Sequence, residues 1–60
     1  MSASSQAITK DEAVRRLRTA GFTQEADELD AWHDVNGNSW GWDGWVRGQH
    51  PHVVATIWQE

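Results

Sequence analysis

Three of the chain's five tryptophans stand in one short run, Ser39-Trp40-Gly41-Trp42-Asp43-Gly44-Trp45, and the remaining apolar inventory is thin. It consists mainly of Leu17, Leu29, Ile8, Ile57, Phe22 and the valines Val14, Val35, Val46, Val53 and Val54. An indole offers ~150–250 Å² of largely apolar surface and one N–H donor. A chain so short of aliphatic side chains must spend some of its tryptophans on the core. The surplus points to recognition.

Sixty residues make one domain, close to the lower size limit for independent folding. There is no cysteine, so neither a disulfide nor a thiolate metal site can staple the fold. Self-association would enlarge the core, and a homodimer joined through an exposed strand edge is one route to it. No apolar run is long enough for a membrane span, and Met1–Thr9 lacks the basic start and apolar stretch of a signal peptide. A soluble, cytoplasmic protein with no membrane partner is expected.

The start of the chain is small and polar, and residues 1–8 read as a disordered tail. Thr9-Lys10-Asp11-Glu12 then has the form of a capping box, in which Thr9 bonds the Glu12 amide and Glu12 reaches back to Thr9. Ala13, Val14, Leu17 and Ala20 continue as an apolar stripe, with Asp11–Arg15 and Glu12–Arg16 at i,i+4. Gly21 stops this helix at its C′ position, placing Phe22 at C″ where it folds back on Leu17. Thr23 is the expected N-cap of a second helix, with Glu25 in its first turn. Ala26, Leu29, Trp32 (or His33) and Val35 form its apolar face, and Asn36-Gly37 ends it.

Leu17-Arg18-Thr19-Ala20-Gly21-Phe22-Thr23-Gln24-Glu25-Ala26 carries glycine, an apolar residue, threonine and glutamine at the junction. Over these ten residues it resembles the turn of the helix-turn-helix DNA-binding family. That resemblance implies a second helix lying in a duplex groove. The second helix departs from the pattern, because it carries Glu25, Asp27, Glu28, Asp30 and Asp34 and no Lys or Arg. Carboxylates repel a phosphate-lined groove, and Lys10, Arg15, Arg16 and Arg18 all lie in the first helix. Net charge is −4, which also disfavours duplex DNA.

In residues 38–60 the tryptophans alternate at 40 and 42 and then slip to 45, which suggests a strand with a bulge or turn at Asp43-Gly44. Val53, Val54, Thr56 and Ile57 favour a returning strand. The same residues with Trp58 also fit a helical stripe starting at Pro51, and a short apolar run discriminates poorly between the two. The strand is the preferred reading. Residues 9–60 are therefore expected to form a single small α+β domain, a helix-turn-helix-like αα pair followed by a tryptophan-rich β-hairpin.

His50-Pro51-His52 and His33-Asp34 offer metal donors, but no spacing matches a tetrahedral site, so no metal or cofactor is expected. No nucleophile stands beside a base, and an enzyme is not expected. The expected function is a non-enzymatic interaction or regulatory protein that occupies a surface of a larger protein. Its contact set is Trp40, Trp42 and Trp45, rimmed by Asp43, Arg47 and the acidic residues Asp27, Asp30 and Asp34. Trp32 and Trp58 are assigned to the core. The first alternative is a module that stacks a glycan or single-stranded nucleic acid on the three clustered indoles, and the second is helix-turn-helix DNA binding.

Overall fold

The computed structural model describes residues 8–59. Thr9 starts the first helix, α1 (Lys10–Thr19), by accepting the Glu12 N–H on Oγ1 at 3.1 Å. Only half of the capping box forms. The Glu12 carboxylate turns instead to Arg15 Nε and Arg16 Nε, both at 3.0 Å, because two guanidiniums outbid one neutral amide. Arg15 thus pairs with Glu12 at i,i+3, where a bond to Asp11 had been expected. The expected tail over residues 1–8 lies outside the described residues for 1–7. Ile8 belongs to the fold, half-buried against the core at the N′ position from which a hydrophobic staple is made.

α1 ends as its sequence dictates. Phe22 N–H donates to Leu17 C=O at 2.9 Å, Gly21 N–H donates to Arg18 C=O at 3.1 Å, and Gly21 sits at φ +93°. This is a Schellman turn, in which the left-handed residue costs nothing because it has no Cβ. The second helix, α2 (Thr23–Ala31), follows at once, with Phe22 rather than Thr23 as its N-cap and no side-chain cap bond.

α2 is shorter than its apolar spacing predicts. Trp32 turns to an extended ψ of 139°, and Lys10 Nζ donates to the carbonyls of Asp30 at 3.0 Å and Trp32 at 3.1 Å. Beyond it Asp34 offers its carboxylate to the N–H groups of Asn36 and Asn38, at 2.8 and 2.9 Å. Such local side-chain acceptors compete with helical bonding and favour a turn. Val35 therefore leaves the helix and the core and is fully exposed.

The expected β-hairpin is not formed, and the fold is not α+β. Residues 39–58 hold two helices joined by turns, α3 (Asp43–Arg47) and α4 (Pro51–Trp58), and no strand occurs among the described residues. The run into α3 is a chain of tight turns, with Trp42 N–H on Ser39 C=O at 3.2 Å and Gly44 N–H on Gly41 C=O at 3.0 Å. Trp42, Trp45 and Val46 then obey the i, i+3, i+4 spacing of a helix face. Once they do so, a strand over 53–58 has no partner to bond. Pro51 takes the first position of α4 after His50, whose ring nitrogen Nδ1 accepts the His52 N–H at 3.2 Å.

The four helices among the described residues feed one core. Ala13, Val14 and Leu17 come from α1, Ala26 and Leu29 from α2, Trp42 and Val46 from the α3 turn, and Val53 and Ile57 from α4. α1 packs against both α2 and α4, while α3 packs on α4. Trp42 and Trp58 stack with centroids 5.7 Å apart and planes at 27°, closing the far side of the core. No helix among the described residues is long and apolar enough to cross a membrane.

Candidate interaction surface

The segment joining α2 to α3 begins and ends in the core and exposes what lies between. At its base the Trp32 ring, half-buried against the core, reaches toward Gly41, where a Cβ would stand 3.8 Å from its Cη2. A Cβ there would meet the ring at ordinary van der Waals distance. Above the base Asp34 knots the chain, since its N–H donates to Asn38 C=O at 2.8 Å and its C=O accepts Gly37 N–H at 3.0 Å. Gly37 supplies the left-handed residue at φ +82°. Asp at the first position of this turn and Gly at the last match turn chemistry. A surface loop packed by its own residues at both ends is an Ω-type loop, a class that often carries function.

Two large apolar side chains project from this loop, Val35 at 100 % exposure and Trp40 at 80 %. The tryptophan cluster is thus divided by role. Trp42 is buried and stacked in the core, Trp45 is half-buried against it, and Trp40 alone of the three faces solvent. Trp42 has no free face for a partner.

The charged residues of the expected contact set separate as well. Asp43 and Arg47 bond each other along α3 at 3.3 Å, both with exposed side chains. Asp27 pairs with Arg18 across the α1–α2 corner at 3.2 Å. Asp34 is the loop's internal tie. Asp30, with Glu28, stays exposed on α2 at the foot of the loop. Val35, expected on the apolar face of α2, is instead an exposed apolar side chain that sequence reasoning missed. Its signal was the turn-forming run Asp34-Val35-Asn36-Gly37, which outranks a valine at helical spacing.

A shallow groove of about 290 Å³ between α1 and α4 is lined by Glu12, Arg15, Arg16, Thr19, Thr56 and Gln59. Its charges are already satisfied. The hydrogen bonds of Arg15 and then Arg16 hold the Glu12 carboxyl below its ordinary range, and Arg16 Nη1 donates to Ile57 C=O at 2.8 Å. His50 and His52 stack with ring centroids 4.9 Å apart. No group of three or more metal-donor side chains converges among the described residues. No family model, no curated protein and no solved structure matches this chain.

Proposed function

We propose that this protein is a non-enzymatic interaction domain that docks on a larger protein through the loop between α2 and α3. Trp40 is the anchor, Val35 is its apolar companion, and the exposed acids of α2 form the rim. The observation that carries this reading is Trp40 at 80 % exposure in a chain with few large apolar side chains. Leaving four-fifths of an indole in water forgoes roughly 4 kcal/mol of burial. A small fold that accepts this loss while burying Trp42 gains from it only when a partner covers the ring. Tryptophan is also the side chain most enriched at the energetic centre of protein interfaces.

The test is a photoreactive amino acid placed at position 40, with the same group at Thr19 as control, in cells of the protein's own source. Lys10 reaches the foot of the loop, so Thr19, at the other end of α1, is remote from it. A discrete higher-mass adduct from position 40 and none from position 19 is the expected result. Identical patterns from both positions, or no adduct from either, would overturn the reading.

A further inference from the structure

The apolar knob sits in an unusual electrostatic setting. Between Thr19 and Val46 the chain carries six carboxylates and no Lys or Arg. Lys10 reaches the foot of this stretch and Arg47 follows its end, and each cation of the chain bonds within the molecule. Lys10 caps the carbonyl end of α2, and Arg15 bonds Glu12. Arg16 bonds Glu12 and the end of α4, Arg18 bonds Asp27, and Arg47 bonds Asp43. No such pairing involves Glu28 or Asp30 among the described residues. Charge around the loop is therefore net negative: Arg18 and Arg47 pair with Asp27 and Asp43, and Lys10, which bonds only neutral carbonyls, stands alone against Glu25, Glu28, Asp30 and Asp34.

Resting on the interaction reading above, we propose that the partner's receiving site is an apolar pocket, sized for one indole, set in a cationic protein surface. A second copy of this chain does not fit. Two copies would bring together faces of like charge, each chain carrying −4. Nucleic acid does not fit either, because its phosphates would face a surface on which carboxylates outnumber Lys and Arg. A pocket rimmed by Lys and Arg answers both halves of the surface. The indole fills it and slows dissociation, while the acids steer encounter and speed association.

The experiment uses the full chain as bait against a display library built on a rigid scaffold with a randomised concave face. Selected binders are compared on wild type, Trp40→Ala and the double variant Glu28→Lys/Asp30→Lys. Circular dichroism confirms that both variants are folded. The expected binders are enriched in Lys and Arg around an apolar centre. Trp40→Ala weakens them about 30-fold or more, chiefly through dissociation. The double variant slows association about tenfold and flattens its salt dependence. Binders that need Trp40 but carry no excess of Lys or Arg would overturn the cationic pocket and leave the interaction reading standing. A library that yields no Trp40-dependent binder would overturn the pocket, and the crosslinking at position 40 then decides the interaction reading separately.

Discussion

At the residue scale, two glycines with equally open surroundings are expected to respond with opposite sign. Neither Gly21 nor Gly44 has anything within 4 Å of a built Cβ, but Gly21 alone is left-handed, at φ +93°. Gly21→Ala should cost about 1 kcal/mol, seen as a Tm lower by roughly 5 °C. Gly44→Ala, inside α3, should gain about 0.5 kcal/mol by reducing the freedom of the unfolded chain. Urea unfolding of both variants checks the pair. Glu12 supplies a pH signature. Its folded pKa lies below the ordinary value of 4.5, so its contribution is complete above 4.5 and fades as pH falls through the lowered folded value. Glu12→Gln should remove that part of the acid limb when Tm is followed against pH. At this scale much was legible in advance. Thr9 and Gly21 are local devices whose partners lie within a few residues. The second half of the capping box was not, because the spacing of Arg15 and Arg16 does not tell which acceptor wins.

At the element scale, the third and fourth helices were the illegible part. Val53, Val54, Ile57 and Trp58 satisfy a helix stripe and a β-rich run equally, and only the surroundings decide. Helical spacing of Trp42, Trp45 and Val46 removed the partner strand, after which Pro51 and His50 were left to start a helix. The same surroundings hold α4 in place through Arg16, whose guanidinium is mostly buried and bonds Ile57 C=O at 2.8 Å. Arg16→Ala should cost about 1.5–3 kcal/mol, as expected for a hydrogen bond to a charged group. Amide hydrogen exchange should show its largest loss of protection in α4. Trp42→Ala, which empties the stacked position against Trp58, should cost about 3–5 kcal/mol and leave the chain largely unfolded by near-ultraviolet circular dichroism.

At the scale of the whole molecule, stability and recognition are assigned to different tryptophans. Trp40→Ala should change stability by less than about 0.5 kcal/mol, since its ring touches mostly solvent. Indole ¹⁵N resonances recorded with a soluble paramagnetic quencher should show Trp40 as the most strongly broadened of the five and Trp42 as protected. Composition indicated that the cluster had to be divided between core and surface. It could not say which ring went where, because that division depends on α3 being a helix and on Asp34 knotting the loop.

The bond from Arg16 to Ile57 has a further consequence, in time. It spans 41 residues, whereas the α1–α2 corner closes over a handful. Closing the longer span costs about 2 kcal/mol more chain entropy. The corner should therefore be assembled at the folding barrier and α4 should dock after it. In stopped-flow experiments Leu29→Ala should mainly slow folding, whereas Ile57→Val should mainly hasten unfolding. How long the native state lasts is then set largely by the last eight residues of helix to arrive.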